Sequence, residues 1–246
     1  MAPGPELTRE VGRRPHFGAR GPIAPLTGWK LLQATAAKAL GQGDVERAAH
    51  LLVEAIELAP TEPRLYEQLV RVALLGGATD TAVQAALELR RLDPTSAQFG
   101  HLQAMALLAH GDEAGAQAVL EQVLLAAPGH VEACRALAQL ARGRQDPALA
   151  VELLQGPWRA APGDLGLAID YGLSLLDAQR ADEARAVLDP LVAAHPEAHA
   201  ARLALARACA KVGDLPGARS HAQRAKDTDD GEVREQAVHL ARQLRA

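Results

Sequence analysis

Aromatic residues make up only 2% of this 246-residue chain, and cysteine and methionine occur twice each. A core without rings must be built from Ala, Leu and Val packed at close range. That suits helices in close approach and disfavours sandwiches and barrels, whose strands favour β-branched and aromatic residues. Long apolar runs are missing as well, so no membrane insertion is expected. A basic excess is also absent: the net charge is −4, which argues against a general nucleic-acid binder. Cys134 and Cys209 lie far apart inside apolar helical runs and read as buried free thiols. The N-terminus carries Arg13 and Arg14 but no apolar stretch behind them, so no secretory or twin-arginine signal is expected and the chain reads as cytoplasmic. Lysine appears only at Lys30, Lys38, Lys211 and Lys226. With so much Ala and Arg, the composition points to a GC-rich bacterial genome.

The signatures of chemistry are absent too. The chain has no phosphate loop, no His-Glu-x-x-His, no Cys-x-x-Cys and no Gly-x-Ser-x-Gly. Gly41-Gln42-Gly43 lacks the third glycine and the preceding strand of a dinucleotide fingerprint, and reads as a turn. His195 and His199 have the spacing of a helical zinc pair, but Pro196 stands between them and no third ligand accompanies them. The carboxylates are scattered over solvent faces, with no isolated pair that would need a shifted pKa. His110 and His130 read as buried and take no role. The expectation is a non-enzyme without metal or cofactor.

What is present is a period. Pro60, Pro94, Pro128, Pro162 and Pro196 follow one another at intervals of 34 residues, and an alanine stands twelve residues before each: Ala48, Ala82, Ala116, Ala150 and Ala184. Ala218 continues the series into a sixth unit, where Asp230 replaces the proline. Within one unit, Ala48, Leu51, Leu52, Ala55 and Ile56 make a single apolar face at helical spacing. Gly43-Asp44, Gly111-Asp112 and Gly213-Asp214, with Gly77-Ala78 more weakly, mark the turn before that helix. Glycine tolerates the left-handed conformation that ends one helix, and Asp caps the next. An alanine at a helix crossing lets the two backbones approach, and a proline stops the second helix. A lone hairpin cannot bury its apolar face, but a stack of hairpins can.

The period and its small-residue positions resemble the tetratricopeptide repeat, as do Tyr66, Leu69, Val70 and Ala73 in one first helix and Ala168, Tyr171, Gly172 and Leu175 in another. The resemblance implies an all-α solenoid of six helix-turn-helix repeats over residues 28–230. The segment 231–246 then reads as a C-terminal capping helix, striped with Val233, Ala237, Leu240, Ala241 and Leu244. Residues 1–27, rich in Pro and Gly, read as a disordered tail. Two departures suggest a less regular middle-to-late stack. The fourth and fifth turns read Gln145-Asp146 and Gln179-Arg180, without glycine. Pro157 and Pro190 fall inside second helices, which are expected to kink or end early there.

The resemblance also implies a protein–protein interaction scaffold whose first helices line a concave, ligand-binding face; a non-catalytic accessory subunit of an enzyme or assembly system is the alternative. Carried over, the outward stripe includes Arg64, Glu67 and Arg71, then His101 and Met105, then Arg135, Gln139 and Arg142. It continues through Ile169 and Leu173 and through Leu203 and Arg207. With Lys30 and Glu132 included, the stripe holds six basic and two acidic residues. That surplus suggests an acidic segment with apolar anchors as partner, its carboxylates on Arg71, Arg135 and Arg142 and its apolar side near Met105, Ile169 and Leu173. The family's carboxylate clamp for chaperone tails is not matched, because Gln33, Ala37 and Gln68 replace its Lys and Asn contacts.

Overall fold

The computed structural model describes residues 28–244; the tail expected to be disordered lies outside the described residues. Among those described, the regular elements are thirteen α-helices and no strand. In chain order they are α1 (Gly28–Gly41), α2 (Val45–Leu58), α3 (Pro63–Leu75), α4 (Thr79–Leu92), α5 (Ala97–His110), α6 (Glu113–Ala126) and α7 (Val131–Gly143). Then follow α8 (Pro147–Ala160), α9 (Leu165–Asp177), α10 (Ala181–Ala194), α11 (His199–Val212), α12 (Leu215–Ala225) and α13 (Gly231–Gln243). None of them is long and apolar enough to cross a membrane.

The helices fall into two units. One holds α1–α4 with Ala109–Gly111, the other Thr95–Leu108 and the chain from Asp112 on. In the first unit α1 packs on α2, α2 on α3 and α3 on α4. In the second, α6 through α13 pack each on the next, and the odd-numbered α7, α9 and α11 also touch one another. Those first helices therefore lie side by side and share a face. The six periodic alanines, Ala48, Ala82, Ala116, Ala150, Ala184 and Ala218, are all fully buried at 0% exposure. The core around them is Leu, Val and Ala, as in the cluster that joins Ala150, Leu154, Leu175, Ala184, Leu188 and Leu205.

All six turns within hairpins close in the same way. The backbone N–H of Asp44, Ala78, Asp112, Asp146, Arg180 and Asp214 donates to the carbonyl five residues earlier, at 2.8–3.0 Å. This is the six-to-one bond of a Schellman closure, which needs a left-handed residue just before the donor. Gly43, Gly77, Gly111 and Gly213 supply it at φ 70° to 91°. In the fourth and fifth turns Gln145 and Gln179 adopt the same conformation at φ 63° and 60°. The expected irregularity is therefore absent from the backbone there. A side chain in that region carries a cost of roughly 1–2 kcal/mol that glycine escapes.

Asp44, Asp112, Asp146 and Asp214 then cap the second helices, each carboxylate accepting from a backbone N–H three residues on at 2.8–3.1 Å. His130, expected to be buried without a role, caps α7 by accepting from the Ala133 N–H at 3.2 Å. His110 was also expected inside, yet its side chain is 46% exposed. The inter-repeat prolines gain a second function through their carbonyls. Tyr66 Oη donates to Pro60 O at 3.0 Å, Cys134 Sγ to Pro128 O at 3.9 Å, and the Arg202 guanidinium to Pro196 O. Each bond ties a first helix to the turn that precedes it.

The helix-interior prolines do not end their helices. Pro157 sits within α8 and Pro190 within α10, and both helices run 14 residues, like α2, α4 and α6. Packing beyond the proline holds the last turn. Trp158 stacks on Tyr171 with ring centroids 5.0 Å apart, and Leu191 and Val192 are buried after Pro190. Each proline also stands within about a turn of the C-terminus, where it removes one bond without unzipping the rest.

At the chain's end α13 packs on α12 and α11, with Leu203, Ala225 and Ala237 buried together and Val233 and Leu240 packed against them. Leu203 is thus a correction to the outward stripe: α13 covers it and leaves it 4% exposed.

Candidate functional site

Helix α7 illustrates how the sequence makes two faces. Ala133, Cys134, Ala136, Leu137, Ala138 and Ala141 are buried, while Glu132, Arg135 and Gln139 are exposed and Arg142 is half-buried. The outward residues recur at three- and four-residue steps, so they form a stripe opposite the packing face. In the first unit the stripe comprises Arg64, Glu67 and Arg71 on α3, where Arg71 pairs with Glu67 at 2.7 Å. There the Gln33 amide also donates to Gln68 Oε1 at 3.1 Å, linking α1 to α3.

In the second unit the stripe lines two cavities. One, of about 440 Å³, has His101 and Met105 from α5, Glu132, Arg135, Gln139 and Arg142 from α7, and Asp170 and Ser174 from α9 along its walls. The other, of about 580 Å³, is bounded by Arg142, Gln145, Leu173, Leu176, Asp177, Gln179, Arg207, Ala210, Lys211 and Leu240, among others. Arg142 belongs to both walls, so the cavities adjoin. Of the expected contact residues in this unit, His101, Met105, Arg135, Gln139, Arg142, Leu173 and Arg207 line these walls. Ile169 lines neither and packs instead against the main core.

The electrostatics differ from those read off the stripe alone. Arg135 Nε donates to Asp170 Oδ2 at 2.5 Å, and Arg142 Nε to Asp177 Oδ2 at 2.6 Å. Both carboxylates come from α9, 35 residues further on in each case. The Gln33–Gln68 bond has the same separation, so it is a recurring link between successive first helices. Asp170 and Asp177 stand outside the stripe positions and were therefore missing from its charge count; opposite charges 35 residues apart were the available signal. Near the other end of the site Arg207 donates to Gln236 Oε1 on α13 at 2.9 Å, and Lys211 to Gln179 Oε1 at 3.3 Å.

His101 is half-buried with its ring 5.9 Å from that of His130. Burial first, then His130, hold its pKa below the ordinary value, against a smaller opposing pull from Glu132. It is therefore a neutral lining residue at neutral pH. Both cysteines are buried, and burial pushes each thiol up, which makes neither a ready nucleophile. His195 lies 3.6 Å from Glu197, and His199 Nδ1 is 3.3 Å from Arg224 O. Among the described residues no three His, Cys, Asp or Glu side chains converge as a metal site would require.

Helical hairpins closed by identical turns, an alanine at each crossing and first helices sharing one lined face define a helical tandem-repeat protein. The tetratricopeptide repeat signature matches residues 34–97, 101–164 and 170–233, and the chain belongs to that family. Its sequence is 30% identical, over 203 residues and 77% of its length, to cellulose synthase operon protein C of Xanthomonas axonopodis pv. citri (strain 306). That match spans 13% of the length of the relative. A tetratricopeptide repeat protein of Parabacteroides merdae ATCC 43184 superposes with a TM-score of 0.67 at 14% identity, over 89% of this chain and 86% of that one. PilW, a type IV pilus biogenesis factor, superposes with a TM-score of 0.71 at 13% identity, over 87% and 100% of the two chains. At these identities the structural likeness is one of fold.

Proposed function

We propose that this chain is a non-catalytic scaffold that holds a segment of a partner protein against its first-helix face. The observation that carries this reading is the pair of adjoining cavities on α5, α7, α9 and α11, each lined by both polar and apolar side chains. Such a lining suits an extended peptide, whose backbone needs polar partners and whose side chains need apolar seats. A role as the accessory subunit of a larger assembly is the second reading, favoured by relatives whose names place them in a cellulose synthase operon and in pilus biogenesis.

Site-specific photo-crosslinking in the source cell tests the scaffold. A benzophenone side chain at Met105 or Gln139 should capture one dominant partner, identified by mass spectrometry. The same group at Leu125, 85% exposed on α6, should not. Capture from Leu125 alone would move binding to the second-helix surface and refute the proposal.

A further inference from the structure

We infer that the cavity walled by α9, α11 and α13 is a specificity seat for an acidic residue flanked by branched apolar ones, within an extended partner segment; this deepens the scaffold reading and rests on it. Positive charge on this face is countered unevenly within the chain. Arg135 and Arg142 already hold Asp170 and Asp177, and Arg71 holds Glu67. A ligand carboxylate arriving at these arginines meets a cation whose charge is already countered by a carboxylate of the chain. Arg207 and Lys211 differ. Their acceptors are the neutral amide oxygens of Gln236 and Gln179, and among the described residues neither lies within ion-pair distance of a carboxylate. A ligand carboxylate replaces a neutral acceptor there with a charged one, and charge-assisted bonds are the stronger kind. The same cavity is lined by the apolar Leu173, Leu176, Ala210 and Leu240, and its one carboxylate, Asp177, is held by Arg142.

The backbone marks the same cavity. Four of the six hairpin turns use glycine at the left-handed position, and the two that do not, Gln145 and Gln179, both line this cavity. Glycine would close those turns without strain, as it does elsewhere in the same chain. The strained residues thus coincide with the wall of one cavity, and each brings a carboxamide that both donates and accepts. Strain of this sort concentrates where function demands a particular side chain. Two carboxamides at the rim can pair with the N–H and C=O of an extended strand, while Arg207 and Lys211 take its carboxylate and the leucines its apolar neighbours.

The test is an NMR titration of the full-length 15N-labelled protein with the end-blocked pentapeptide SLDLS and its neutral counterpart SLNLS. SLDLS should perturb amides around Leu173–Gln179 and Arg207–Lys211 and bind roughly five-fold or more tighter than SLNLS at low salt. Arg207→Ala with Lys211→Ala should abolish that preference. Equal titration by the two peptides, or no perturbation by either, would overturn the inference. Gln145→Gly with Gln179→Gly provides a second, independent arm. Relief of strain should raise the melting temperature by roughly 2–4 °C per substitution, while SLDLS binding weakens two-fold or more. A more stable variant with undiminished binding would show that the carboxamides take no part. A decauridylate that displaced SLDLS would replace a peptide with a nucleic acid as ligand and also overturn the inference. The scaffold reading fails separately. If the crosslinked partner is captured equally by wild-type and Arg207→Ala/Lys211→Ala protein, the scaffold stands and this seat falls. If wild type captures nothing, the scaffold falls and takes this inference with it.

Discussion

Replacing Pro190 with alanine should make the protein more stable, and the structure indicates by how much. Proline inside a helix is about 3 kcal/mol less favourable than alanine, through the missing N–H and the clash of its ring with the preceding turn. Against that, proline stiffens the unfolded chain, and losing the restriction gives back roughly 0.4–1 kcal/mol. Nothing else is sacrificed, since Pro190 is exposed and has no place in the core. The carbonyl of Ala186, which a residue-190 N–H would reach, is on an exposed residue open to solvent. The expected net gain is about 1–3 kcal/mol. Urea unfolding followed by circular dichroism should show a higher midpoint. Because neighbouring repeats are coupled and need not unfold together, hydrogen exchange should localise the gain to amides of α10. An unchanged or lower midpoint, with no added protection in α10, would refute the reasoning and mean that the surrounding packing already compensates the proline in full.

Other expectations follow from the core and from its charges. Ala116→Leu forces a larger side chain into a site with 0% exposure and should cost on the order of 1–3 kcal/mol in urea unfolding. Arg135→Ala removes an exposed ion pair with Asp170, so the loss should stay below about 1 kcal/mol and shrink further in high salt. Burial, then His130, hold His101 below its ordinary pKa of 6.5, and burial, then Arg202, do the same for His221. Both are histidines whose folded pKa is depressed, so the unfolded chain takes up their protons first as the pH falls. The stability they contribute is complete above the unfolded value and is lost as the pH drops through the lowered folded values. The urea midpoint should therefore fall between about pH 7.5 and about pH 5.5, and more gently in His101→Gln/His221→Gln protein; a midpoint that rises on acidification contradicts the assignment.

The fold was legible because its determinants are periodic. Proline, alanine and the glycine–aspartate turn each mark one backbone requirement per repeat, and helices of small residues leave few alternatives. The fourth and fifth turns depart from their sequence because residue identity is only a partial guide to conformation. In Gln145 and Gln179 the Schellman bond and the flanking core outweigh the local preference of the side chain. Pro157 and Pro190 depart similarly, since the propensity that disfavours them is smaller than the packing of Trp158 and Leu191 beyond them. The face was legible as a stripe but not as a potential. Asp170 and Asp177 reach it from the neighbouring helix, and single-helix spacing carries no information about partners a full repeat away. Leu203 disappeared from the face for a related reason: α13 follows the last repeat and lies over it.

The proline carbonyls that accept from Tyr66, Cys134 and Arg202 bear on how such a chain can drift in sequence. A phenol, a thiol and a guanidinium have little in common beyond a proton to give at one point in space. The position accepts any side chain with a proton to give and also does without one, since Leu32, Gly100 and Ala168 hold the same register in the other first helices. The bond is thus an addition to the repeat and not a requirement of it, so homologous repeats can diverge there until alignment sees no relationship. Exchanging Tyr66 for cysteine, or Cys134 for tyrosine, changes the residue while leaving the bond to the preceding turn chemically available.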